Sequence, residues 1–177
     1  MKRIFNLMMA AALVAGLSGC GSDEISYAPD NYVIPAGTTT LAFTAISTAR
    51  LDSAIGGIDM AVVLPAGMSV VTESGSNRIT ATAVQPGAAL PGTSLAFGRY
   101  SSAPVRKARL TMGTVSTTYR SGEFLRLTCT VDQGTSISVA DLRTLNNPVE
   151  LIKAAGGDTS NSYDLTGKVR LRLELLH

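Results

Sequence analysis

From Asn31 onward the chain alternates apolar and polar side chains over short runs, broken by Gly, Pro, Asn and Asp. Between Thr38 and Ser47, Leu41 and Phe43 alternate with Ala42 and Thr44. Ile58, Met60, Val62 and Leu64 are set against Asp59, Ala61 and Val63, and Met68 to Thr72 follows the Pro65-Ala66-Gly67 turn. Ile79, Ala81 and Ala83 alternate with Thr80 and Thr82, and Ser94 to Tyr100 is a further run. Ala108, Leu110 and Met112 alternate with Arg109 and Thr111 until Gly113 interrupts. Glu123 to Val131 is the clearest run; Ile137 and Val139 continue after Asp132-Gln133-Gly134. Val169, Leu171, Leu173 and Leu175 against Arg170, Arg172 and Glu174 close the chain with one dry and one wet face. A period of two marks half-buried strands, so the pattern predicts about nine or ten of them. Helix is expected only at Ala140 to Leu145 and Pro148 to Ala155, with Asn147 as a cap and Pro148 in the first turn. This many short strands in one domain predict an all-β fold, a two-sheet sandwich or jelly roll.

The first twenty residues follow another pattern. Lys2 and Arg3 precede an apolar run, Ile4 to Leu17, and then Ser18, Gly19 and Cys20. A basic start, an apolar middle and small residues at the end are the parts of a secretory leader. The run is about 14 residues, short of the roughly 20 that a bilayer-spanning helix needs. Leu17-Ser18-Gly19-Cys20 resembles the lipobox of bacterial lipoproteins. The resemblance implies recognition of Leu17, Ser18 and Gly19 by the signal peptidase, cleavage before Cys20, and acyl chains (palmitate among them) on Cys20. The alternative is an ordinary leader with an incidental cysteine. Gly21 rather than Asp follows the cysteine. By the sorting pattern of proteobacterial lipoproteins, this resembles a protein exported and lipid-anchored to the outer membrane of a Gram-negative bacterium. The expected organisation is a leader over 1–19, a lipidated N-terminus and short tether over 20–30, and one β domain over 31–177.

The leader changes the reading of charge. The whole chain carries a formal +2 and a mean hydropathy of +0.23. Without Lys2 and Arg3 its 15 basic residues become 13, equal to its 13 acidic ones. A near-neutral mature chain gives no electrostatic footprint for nucleic acid. His177 is the one histidine, which excludes His-based triads and His metal sites. No GxSxG elbow or phosphate-loop frame occurs, and nothing in the sequence pairs Glu73, Glu123, Glu150 or Glu174 as a glycosidase would require. The expectation is a non-catalytic protein with no cofactor and no metal. Asp158 to Asp164 is rich in oxygen ligands, but it lacks the glycine and distal glutamate of an EF-hand loop, and turn chemistry explains it as well. Cys129 sits in register with Leu125, Leu127 and Val131 and is expected in the core. There is no Trp; among the tyrosines, Tyr100 and Tyr119 fall near strand ends and are candidate sugar or partner contacts. Arg99, Arg106, Lys107 and Arg109 form a basic cluster that suits either a solvated face or an acidic partner.

Three stretches together resemble cohesin domains. Gly57-Ile58-Asp59-Met60-Ala61-Val62-Val63-Leu64 is similar to the early cohesin strand, in which a glycine precedes an alternating run. Leu64-Pro65-Ala66-Gly67-Met68-Ser69-Val70-Val71 resembles the following corner and strand, and Gly122 to Val131 resembles a late strand. The resemblance implies a nine-stranded jelly-roll sandwich of the cohesin and carbohydrate-binding-module type. It also implies a protein partner, in that family a dockerin-like module, in the envelope or outside it. A polysaccharide ligand is the alternative. No dockerin-like calcium loop occurs in the chain itself.

Overall fold

The computed structural model describes residues 26–90, 92, 94–157 and 161–177. The fold is all-β, antiparallel throughout and sandwich-like. The strands are β1 (Val33–Ile34), β2 (Gly37–Ser47), β3 (Ile55–Val63), β4 (Met68–Ser69), β5 (Val84–Pro86) and β6 (Ser94–Ser101). They continue with β7 (Lys107–Thr114), β8 (Gly122–Val131), β9 (Ile137–Ser138), β10 (Glu150–Gly157), β11 (Ser162–Asp164) and β12 (Val169–Leu175). One sheet runs β12-β2-β8, with β4 and β5 both paired to β8; the other runs β11-β10-β3-β7-β6. β1 and β9 form a separate ribbon.

The alternation read from the sequence places the core. In the first sheet Leu173, Phe43, Leu125 and Pro86 share one row, and Leu175, Leu41, Leu127 and Val84 the next. In the second sheet Ile58, Met60 and Val62 of β3 and Ala108, Leu110 and Met112 of β7 are buried on alternate positions. These side chains join in one apolar cluster. The alternation breaks at Phe124 and Leu125, which are consecutive and both buried. A register shift there, between Phe43 and Thr44 on the partner, lets the chain turn two successive side chains away from water. β5 can lie against β8 because residue 87 has no side chain. A Cβ on Gly87 would meet the Glu123 carbonyl oxygen at 2.5 Å and the Leu125 nitrogen at 2.7 Å.

Cys129 is 1% exposed, as its place in the alternation implied. Burial pushes its thiol up to about 12. In the native state it should resist alkylation at pH 8 and react only on unfolding; fast native labelling would place it at the surface. Cys129→Ser should lower stability by about 1–3 kcal/mol, read as a drop in urea midpoint, because the hydroxyl is buried among apolar neighbours.

Three expectations need correction. Pro148 to Ala155 is not helical: Glu150–Gly157 is strand β10, paired to β3. A register shift between Leu151 and Lys153 spoils the period of two that would have marked it. Ile79 to Ala83 is not a strand. Ile79 and Ala83 are buried, but Ala83 and Val84 N–H groups both donate to the Thr80 carbonyl, so the chain turns there. Nor does the folded body begin at residue 31. Tyr27 pairs with Leu176, Ala28 N–H donates to Leu175 O at 3.0 Å, His177 N–H donates to Ser26 O at 3.0 Å, and the Ala28 side chain is in the core. Residues 26–30 therefore belong to the domain and not to a tether.

The one α-helix among the described residues, α1 (Val139–Leu145), covers the whole of the expected Ala140 to Leu145 segment and starts one residue before it. It starts on a capping box: Asp141 N–H donates to Ser138 Oγ at 3.1 Å, and Ser138 N–H donates to Asp141 Oδ2 at 2.9 Å. Asn146 then ties it to β3. Its Oδ1 accepts from Val63 N–H, and its Nδ2 donates to the carbonyls of Val63 and Leu142, each at 2.8 Å.

Candidate functional site

Cys20 and its neighbours Leu17, Ser18 and Gly19 lie outside the described residues. No helix among the described residues is long and apolar enough to cross a membrane. Asp158, Thr159 and Ser160 also lie outside them, while Asp164 is engaged locally, accepting from Thr166 N–H at 2.9 Å. Among the described residues no group of three or more His, Cys, Asp or Glu is placed to hold a metal ion.

The two candidate tyrosines do not form a platform. Tyr119 is 5% exposed, with its hydroxyl donating to Gly122 O at 3.0 Å and its carbonyl accepting from Ile55 N–H at 2.8 Å. Burial raises its phenol well above the usual range. Expected near a strand end, it is instead folded back over the β8 start, so it is not a surface contact. Tyr100 is half-buried on the inward side of β6. Its hydroxyl is enclosed without a hydrogen-bond partner, and burial raises its pKa against the opposing pull of Arg106.

What β6 shows to water is the opposite of what a core strand would show. Its small residues, Ala96 and Gly98, point inward, and its large ones point out: Leu95 is 76% exposed and Phe97 52%. The reason is space. A Cβ on Gly98 would meet Leu110 Cδ2 at 2.7 Å and Ile79 Cδ1 at 2.9 Å. The chain at 77–79 closes over this edge, with Ile79 N–H donating to Gly98 O and Tyr100 N–H to Asn77 O.

That closure completes a row of like charges. Arg78 lies opposite Arg99, Arg99 opposite Arg109, and Arg109 opposite Ala61, which faces Glu150. Three arginines thus stand side by side across the outer face of β6 and β7. Arg109 is fixed by a two-point contact with Asp59, its Nε donating to Oδ1 at 3.1 Å, and this raises its pKa. Arg78 Nε is 3.5 Å from Glu73 Oε1, and Lys107 Nζ is 2.6 Å from Glu150 Oε2. No ion pair joins Arg99 to a carboxylate among the described residues. Like charges directly opposite one another on a sheet are unfavourable; Asp59 and Glu73 offset this at Arg109 and Arg78, and no carboxylate among the described residues does so at Arg99.

Two hollows flank it. One, of about 280 Å³, is lined by Phe97, Gly98, Arg99, Arg109 and Thr111. The other, of about 350 Å³, is lined by Arg99, Tyr100, Lys107, Arg109, Glu150 and Ile152 among others. Arg99 and Arg109 are common to both. Beyond the hollows, in the row of Leu95, the outer face carries little side chain: Leu95 faces Gly113, Gly113 faces Gly57, and Gly57 faces Ala155.

Of the basic cluster read from the sequence, the structure brings Arg99 and Arg109 together and sets Lys107 beside them. Arg106 is outside β7. Arg78, Leu95 and Phe97 were missed. The one sequence signal for the last two was the inverted size pattern of Ser94 to Tyr100, large side chains alternating with Ala96 and Gly98.

Comparison with protein-family models, curated proteins and solved structures returned no match for this chain.

Proposed function

We propose that this chain is a cell-envelope lipoprotein, held in the membrane through acylated Cys20, whose β domain is a non-catalytic, cohesin-like binding module. The observation that carries the reading is the outer face of the β11-β10-β3-β7-β6 sheet, where Leu95 and Phe97 stand in water beside Arg99 and Arg109. Exposed aromatic and arginine side chains are what recognition surfaces are made of. A jelly-roll course is supported by the connections. β2 to β3, β3 to β4, β5 to β6, β7 to β8 and β11 to β12 each pass from one sheet to the other, where a meander would stay within a sheet.

The apolar pair suits an envelope or extracellular protein, the partner that the cohesin resemblance implies. The arginine row on the same face favours a second reading, a surface polysaccharide. The lipid anchor has a direct test. Cys20→Ala should move the protein from the membrane pellet to the soluble fraction, because buried acyl chains contribute about 0.8 kcal/mol per CH2. Unchanged fractionation rules the anchor out.

A further inference from the structure

We propose that the Arg78–Arg99–Arg109 row binds an acidic polysaccharide, a chain of carboxylate-bearing sugars running across the strands, with Phe97 as the surface on which a ring rests. The inference rests on the reading of this face as the binding surface and gives that surface its ligand chemistry.

The neighbouring aromatic side chain favours a glycan over a peptide. The three arginines occupy adjacent strands, which lie ~4.8 Å apart. A polyuronate carries a carboxylate on every ring, so a ring resting on Phe97 brings its own charge to the arginines beside it. An acidic peptide brings carboxylates without a ring face to rest there. Guanidinium groups also match carboxylates two bonds at a time. Arg109 is already oriented by Asp59, and Arg99 has its donors unclaimed by any carboxylate among the described residues. Phe97 lies two residues from Arg99 on the same face of β6, and both line the 280 Å³ hollow. A ring seated there sets its apolar CH face on Phe97 and its carboxylate against Arg99 and Arg109. Thr111, in register with Phe97, is a short side chain that leaves room for the ring.

The test is calorimetric titration of the detergent-solubilised full chain with polygalacturonate and alginate at ~0.15 M salt, where loose surface attraction is screened. Neutral dextran and polyglutamate serve as comparisons. A polyuronate should bind and dextran should not. Arg99→Ala should weaken binding by about tenfold, the loss of one charge-assisted contact. Phe97→Ala should weaken it further. Arg170→Ala removes the same charge from the outer side of the other sheet and should change binding less than about twofold. An equal loss in Arg99→Ala and Arg170→Ala overturns the site, as does failure of both polyuronates to bind. Equal or tighter binding of polyglutamate overturns the glycan in favour of an acidic protein segment. A Leu95→Cys variant separates this from the underlying reading of the face. A thiol reagent that labels it in the purified protein but not in intact cells keeps the face as a binding surface even where polyuronates fail. Equal labelling in both removes the face itself.

Discussion

Glu123→Ala should lower the stability of the domain by about 2–3 kcal/mol. Glu123 is 7% exposed on the outer side of β8, and both of its carboxylate oxygens accept hydrogen bonds. Its Oε1 accepts from Arg126 Nε at 2.6 Å and from Ala88 N–H at 2.9 Å, and its Oε2 accepts from Tyr27 O–H at 3.4 Å. Removing it strands a backbone N–H, a phenol and a guanidinium at once. Breaking a fully buried pair costs about 3–5 kcal/mol; the Arg126 side chain is 34% exposed and can rehydrate, which sets the lower figure. Glu123→Gln keeps an acceptor for Ala88 and should recover about half the loss. Urea unfolding distinguishes the cases: the midpoint should fall in the order wild type, Gln, Ala, with unchanged slope. Equal midpoints for wild type and Ala would show that the carboxylate is solvated and contributes no net stability.

Phe43→Ala should cost more, about 3–5 kcal/mol. Phe43 is fully buried at the centre of the first sheet, with Leu173 and Leu125 in register on either side. Strands on both flanks hold the backbone in place, so the space cannot close when the ring is lost and the cavity cost adds to the transfer cost. For a domain of this size the melting temperature should fall by about 10 °C. Phe97→Ala, the same substitution on the outer face, should change stability by less than about 0.5 kcal/mol. The contrast checks the assignment of faces, and a large destabilisation at residue 97 would contradict it.

The strands that could be read from the sequence were those that keep the period of two over most of their length. β2, β3, β7, β8 and β12 do so, the register shift between β2 and β8 leaving Leu125 to Val131 regular, and the structure places them close to where the alternation did. β10 was lost because its register shift puts exposed Ile152 beside exposed Lys153, which reads as no period at all. β1 and β11 are too short for any period to register. The candidate face was harder. Arg78 is in a loop by sequence, and nothing local says that it will stand opposite Arg99; only the Ile79–Gly98 and Tyr100–Asn77 hydrogen bonds bring them together. Tyr119 failed for the complementary reason. Its burial depends on a hydrogen bond to Gly122 and on the start of β3, which is distant in sequence.

The pairing of Ser26–Ala28 with the end of β12 has a mechanical side. Tension drawn through the chain ahead of Ser26 arrives first at the His177–Ser26 and Ala28–Leu175 hydrogen bonds, at the rim of the first sheet. The load falls on these bonds one after another, so this short strip acts as a fuse. It can peel away under a modest pull and lengthen the chain ahead of the sandwich by a few residues. β2, clamped between β8 and β12, takes the load only after this strip has gone.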